Sequence, residues 1–369
     1  MRFVKLAIAG SLLGGLLIGI AVADEASTLD LRQPASVQQT AFEYDSYAYF
    51  APEGESGDSP SDQPAAQESS CEASCGQPSC STCCSCCDPC WTVHADGMFL
   101  QLNHTNVPLV LDNGGADVLN AGEFNFDYEA GWEIGVKKYY NENWDLELRY
   151  FSVDGWRAGR AAQDCNGFWV QYETPIGVGA ASTVGGVYRS ELDNLEINAR
   201  RKMNPWLDIV FGFRYMELEE SMVILETWNA GADVGIDAVD ATNYLFGFQL
   251  GADATVLSRG NLDLECAIKT GVFGNDGRNS ATSTNVGGAT LTSSAGGSHT
   301  AFAAELAVTA KYQLTDALAA RVGYELLWVE GVASAYGQVA TSDPGVGAAV
   351  NFRGSPFYDG LFFGLEAAW

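Results

Sequence analysis

The chain has 369 residues, with 47 Asp+Glu against 19 Lys+Arg and a formal net charge of -28. That balance excludes the basic face that nucleic-acid binding requires, and an apolar content of 47% excludes wholesale disorder. Abundant glycine with only 18% charged residues favours an all-β reading over a helical one.

Residues 1–23 read as a secretory signal peptide. Arg2 and Lys5 form the positive start, an uncharged apolar run follows, and Ala21-Val22-Ala23 supplies an A-x-A cleavage site before Asp24-Glu25. No later stretch is long and apolar enough for a transmembrane helix. Residues 24–70 read as a disordered acidic linker, and 51–70 in particular are Pro, Gly, Ser, Gln and acids with little to bury. The aromatic group Phe42, Tyr44, Tyr47, Tyr49 and Phe50 interrupts it and reads as a patch in a flexible tail.

Residues 71–90 hold Cys71, Cys75, Cys80, Cys83, Cys84, Cys86, Cys87 and Cys90. The C-x-x-C spacings would suit zinc, but the block has no histidine and no spacer between pairs, and an export signal precedes it. Disulfides in an oxidising compartment are the better reading, either as a stapled knot or as cross-links to the cell wall or a second copy. No metal site and no cofactor is implied.

Residues 91–369 alternate with period two, the spacing at which strand side chains point to opposite faces. In 206–217, Leu207, Ile209, Phe211, Phe213 and Tyr215 share one face, while Asp208, Val210, Gly212, Arg214 and Met216 share the other. The same pattern predicts ten strands: 92–103, 130–140, 144–153, 191–202, 206–218, 243–257, 261–273, 301–314, 317–330 and 358–369. A hairpin at 167–189 would raise the number to twelve. Short turns at 141–143, 203–205, 258–260 and 315–316 alternate with long connections at about 104–128, 153–190, 218–242, 274–300 and 331–356. Aromatics gather toward both ends of the strands. Short turns at one end, long loops at the other and two aromatic rings describe a transmembrane antiparallel up-and-down β-barrel.

The last strand, 361–369, carries alternate apolar residues and ends on Trp369. Gly364, Ala367 and Trp369 resemble the C-terminal assembly signal of bacterial outer-membrane barrels, with Phe362 where a polar residue is usual. Together with the opening strand 95–103 and the segments 144–151 and 210–219, the chain resembles the porin-like family typified by the Legionella major outer-membrane protein and its relatives in planctomycete-like bacteria. The resemblance implies insertion by the barrel-insertion machinery and contact with outer-membrane lipid and lipopolysaccharide, and the even number of strands leaves both ends, with the N-terminal tail, on the periplasmic side.

The face opposite the apolar one is predicted to line the lumen. It carries the acids Glu133, Asp145, Glu147, Glu196, Asp208, Asp253, Asp263, Glu265, Glu305, Glu325 and Glu366. It also carries the bases Lys137, Arg149, Arg200, Lys202, Arg214, Lys269, Lys311 and Arg321. In a narrow lumen these would pair in a ladder, because an unpaired buried charge is costly. In a wider one they would line a pore with weak cation preference. The leading expectation is a porin-like barrel for passive passage of small solutes or ions. The alternative is a structural envelope protein anchored by its barrel and cross-linked through its tail.

An enzyme is not expected, and a rim-located outer-membrane hydrolase stands third behind the two readings above. The chain has no G-x-S-x-G motif and only three histidines, His94, His104 and His299, which read as solvated rim or loop residues. The loop acids Asp112, Asp117, Glu219, Glu220, Asp233, Asp237 and Asp240 match no calcium-loop spacing.

Overall fold

The structure is a computed structural model that describes residues 90–112, 117–163, 168–170, 183–228, 233–284, 288–339, 341–344 and 346–369. The signal peptide, the acidic linker and all the cysteines of the block except Cys90 lie outside the described residues.

The strands in chain order are β1 (Trp91–Asn103), β2 (Pro108–Asp112), β3 (Asp117–Asn120), β4 (Glu129–Asn141), β5 (Trp144–Gln163), β6 (Phe168–Val170), β7 (Thr183–Asn204) and β8 (Leu207–Trp228). They continue with β9 (Asp233–Arg259), β10 (Leu262–Thr284), β11 (Thr290–Thr315), β12 (Leu318–Glu330), β13 (Ser342–Asp343), β14 (Gly347–Ala348) and β15 (Phe357–Ala368), with one short helix, α1 (Ala335–Gln338), before β13. Ten of them close into an antiparallel barrel in the order β1-β15-β12-β11-β10-β9-β8-β7-β5-β4. The seam joins the first strand to the last over Thr92↔Ala368 to Asn103↔Phe357. The Trp91 and Trp369 backbones exchange N–H···O bonds of 3.0 Å at its foot.

The ten expected strands are therefore the ten barrel strands. The twelve-stranded alternative is not formed: β6 pairs with β2 in a separate three-stranded sheet. The long connections differ more. Segments expected as loops are continuous strand, so that β8 and β9 pair from Leu207↔Ala254 out to Trp228↔Asp233.

The reason is an inversion of side-chain polarity along each tall strand. In the half nearer the short turns, each strand turns an exposed apolar residue outward, such as Phe99, Ile134, Leu148, Ile197, Phe213, Phe248, Ile268, Leu306, Val322 and Phe363. Lipid is the cover such a band needs. Farther along, the pattern reverses. On β7 the outward residues become Asp193, Glu191 and Arg189, and the buried inward ones Leu192, Ser190 and Tyr188. On β8 the outward residues become Glu217 and Glu219, and the buried ones Met216, Leu218, Met222 and Ile224. The upper half is thus built as a water-facing barrel around an apolar core.

Aromatics mark the edges of the lipid band. At the upper edge, Tyr150 donates to Asp193 at 2.8 Å and Tyr215 to Glu217 at 3.0 Å. Tyr324 donates to Asp359, and the Trp328 indole donates to Ser355 at 2.8 Å. At the lower edge Lys138 lies over Trp91 (5.0 Å) and Lys202 over Tyr139 (4.7 Å). Amphipathic rings with one apolar body and one polar tip suit a membrane boundary. Cys266 is a free thiol on the outward face of β10.

Candidate functional site in the barrel lumen

Period-two alternation turns all the expected lumen residues inward, and cross-strand register stacks them in two layers. The layer next to the short turns surrounds a cavity of about 690 Å³. Arg200 bonds Glu147 at 2.7 Å, lies 3.5 Å from Asp208 and also pairs with Asp253. Lys311 sits 3.0 Å from both Glu265 and Glu366. Arg321 approaches Glu366 at 3.4 Å and Asp96 at 3.3 Å. Lys137 and Lys202 also line the cavity. Asp145 and Asp263 face inward at the rim without joining an ion pair among the described residues.

The second layer closes the inner end of this cavity. Arg149, on β5, is the hub. Its guanidinium lies 2.7 Å from Glu133 on β4, 2.9 Å from Glu196 on β7, 2.7 Å from Glu305 on β11 and 2.8 Å from Glu325 on β12. Because β11 and β12 stand across the barrel from β5 in the strand order, these bonds cross the lumen. Arg214 reaches Glu305 at 2.7 Å, and Lys269 bridges Glu196 and Glu305 at 2.9 Å each. Gln249 and Asn198 fill the remaining lone pairs of Glu196 at 2.8 and 3.1 Å. A strand glycine makes room for this crossing. Gly135 stands between His94 and Arg149 in register, and a side chain there would occupy the His94 ring.

Above this network the lumen is mainly apolar, with a few buried polar side chains such as Glu220, Asn243 and Asn275 set into it. Leu100, Phe151, Leu218, Leu245, Phe273 and Leu327 are buried, and α1 packs over them with Ala335 and Tyr336. Glu220 holds the helix by accepting bonds from the Ala335 N–H (2.8 Å) and the Tyr188 hydroxyl (2.6 Å). Asn243 likewise accepts from the Ala333 N–H at 2.7 Å and donates to the Ala333 carbonyl at 2.8 Å.

Several residues stand elsewhere than the sequence suggests. His104 is half-buried: its ring packs among Phe126, Tyr188 and Tyr336 with centroids 5.2–5.6 Å away. Burial there holds its pKa below the ordinary histidine value. His299 is exposed but lies on β11, not in a loop, and stacks on Phe352 at 5.2 Å. Glu220 and Asp237 are buried inside the upper barrel, although the sequence reading placed them in acidic loops. The reading also omitted His94 and Asp96 from the lumen face. Their period-two spacing with Met98 and Leu100 on β1 is the signal that places them there.

The assembly-signal residues sit at the seam. Gly364 pairs with Asp96 on one side and Arg321 on the other, and a side chain at that position would collide with Asp96. Its bareness lets Arg321 reach Asp96 across it. Ala367 pairs with Val93 and Leu318, and Phe362 is buried inward against Gly323 with Arg321 5.9 Å from its ring.

The family described as "Putative beta barrel porin-7 (BBP7)" matches residues 175–351. That match spans just under half of the chain, whose fold is a closed ten-stranded antiparallel β-barrel. Among solved structures, the outer membrane protease OmpT of Escherichia coli overlays with a TM-score of 0.45 at 9% identity, over 76% of this chain and 96% of that one. The toluene transporter TodX of P. putida gives 0.32 at 9% identity, over 76% and 89%. The translocator domain of the autotransporter NalP from Neisseria meningitidis gives 0.35 at 10% identity, over 76% and 88%. No curated protein matches the chain. The narrower likeness to the Legionella-type protein stands as a resemblance.

Proposed function

We propose that this barrel provides a gated passage for small solutes or ions across the outer membrane, with its short turns and acidic, cysteine-rich tail on the periplasmic side. The observation that carries the reading is a polar cavity that ends against the Arg149 cluster. Its lining of paired charges suits hydrated ions and small polar solutes, and passage requires the ion-pair network at its inner end and the apolar plug above it to rearrange together. The porin description of the matched family supports the same role. With acids outnumbering bases on this face, the expected selectivity is weakly cationic.

Catalysis is not part of the proposal. Among the described residues, each histidine has an environment of its own: His94 on Glu133, His104 in its aromatic box, His299 on Phe352. None donates to a serine or cysteine.

Planar-bilayer recording of the purified full chain tests the reading. Rare, small steps are expected for the native protein, and more frequent ones for Arg149→Ala, which loosens the network below the plug. Silence from both proteins, with insertion verified, rejects the passage. It would favour a second reading, that of an envelope anchor held by its barrel. The apolar, helix-capped upper lumen is the feature that favours that alternative.

A further inference from the structure

We propose a divalent transition-metal site in the lumen, formed by His94 and Asp96 of β1 and Glu133 of β4. Register builds it. His94 and Asp96 are two residues apart, so both point inward, and Asp96 lies directly opposite Glu133. The donor atoms of all three lie within 4.8 Å of one another, and the His94 ring nitrogen is already 2.9 Å from a Glu133 oxygen.

A tetrahedral ion with bonds of about 2.0–2.2 Å sets its ligands about 3.3–3.6 Å apart. Glu133 therefore needs to retreat by a few tenths of an ångström, and Asp96 needs to swing inward. Asp96 is free to do so. Its side chain is fully buried, yet neither carboxylate oxygen has a hydrogen-bond partner. A buried acceptor left without a donor is costly, and a cation would satisfy it. The Arg321 guanidinium, 3.3 Å from Asp96, is the cation paired with it among the described residues, and Arg321 also holds Glu366.

The second oxygen of Glu133 stays on Arg149, which would fix the carboxylate as an outer partner fixes a metal ligand. His94 and Glu133 border the large cavity, which gives an ion a route in and leaves a coordination position for water. One imidazole with two carboxylates selects zinc, nickel or cobalt over calcium and magnesium, which favour oxygen donors alone. No sequence motif marks the site, because its donors come from two strands that only the barrel register brings together. The site does not depend on conduction through the barrel.

The test is titration of the full chain, refolded in detergent, with Co2+ and Zn2+. Co2+ also separates this site from the cysteine block, because thiolate ligation adds an intense charge-transfer band that nitrogen and oxygen ligands lack. The expected result is one equivalent of Co2+ bound with visible ligand-field bands and no thiolate band, displaced by Zn2+ and untouched by excess Mg2+. His94→Ala and Asp96→Asn are each expected to weaken that equivalent by tenfold or more while keeping heat-modifiable mobility, which reports a folded barrel. Unchanged binding in both folded variants, or binding that shows only the thiolate band, overturns the site.

Discussion

Replacing Arg149 with alanine removes the one side chain that ties β5 to β4, β7, β11 and β12 at once. In the native network four carboxylates, Glu133, Glu196, Glu305 and Glu325, face three cations, Arg149, Arg214 and Lys269. Without Arg149 the same four buried acids face two. Breaking a buried pair by removing one partner costs about 3–5 kcal/mol, chiefly because the other charge stays behind uncompensated. At about 1.4 kcal/mol per tenfold, the folding constant falls by roughly two to three and a half orders of magnitude. Denaturant unfolding in lipid vesicles, followed by tryptophan fluorescence, reads this as a lower midpoint at constant slope. Arg149→Lys recovers only part of the loss, because one ammonium cannot serve four carboxylates as a planar guanidinium does. An Arg149→Ala protein within about 1 kcal/mol of native, the worth of an exposed surface pair, refutes the view that this cluster holds the barrel together.

Phe248, outward on β9 and 77% exposed, belongs to the lipid face. Phe248→Arg is expected to cost about 2–4 kcal/mol if the residue sits near the bilayer midplane, and unchanged folding in vesicles contradicts that placement. Gly364→Leu is expected to prevent closure by displacing Asp96 and its Arg321 contact, read as loss of heat-modifiable mobility. The His104 pKa is lowered in the fold, so the unfolded chain binds its proton first as pH drops. Stability from this residue is therefore complete above the ordinary value of 6.5 and declines as pH falls through it. His104→Phe should flatten that dependence, and an equal acid sensitivity in the variant assigns it elsewhere.

The barrel and its lumen face were legible because one physical rule, alternation against lipid, governs every spanning segment. Leu148 and Arg149, or Phe213 and Arg214, announce both faces in adjacent letters. The upper strands were not legible because the rule reverses there. Past Tyr215 the greasy residues Met216, Leu218 and Met222 turn inward and the acids outward, so a reader following the lipid phase sees the strand end. The Arg149 hub was visible as a charge but not as a hub, since its partners Glu305 and Glu325 lie 156 and 176 residues away. Only strand order brings them to it.

The seam between β1 and β15 also bears on how such a molecule comes to exist. Its twelve paired positions join residues about 250 or more places apart, from Asn103↔Phe357 to Thr92↔Ala368. Until the last strand arrives, β1 and the growing end of the sheet each present an unsatisfied row of backbone donors and acceptors. An unclosed sheet of these strands therefore has two adhesive margins, and contacts of such long separation form slowly. Its greatest exposure to mispairing comes before closure, when the Trp91 and Trp369 backbones have yet to exchange their bonds.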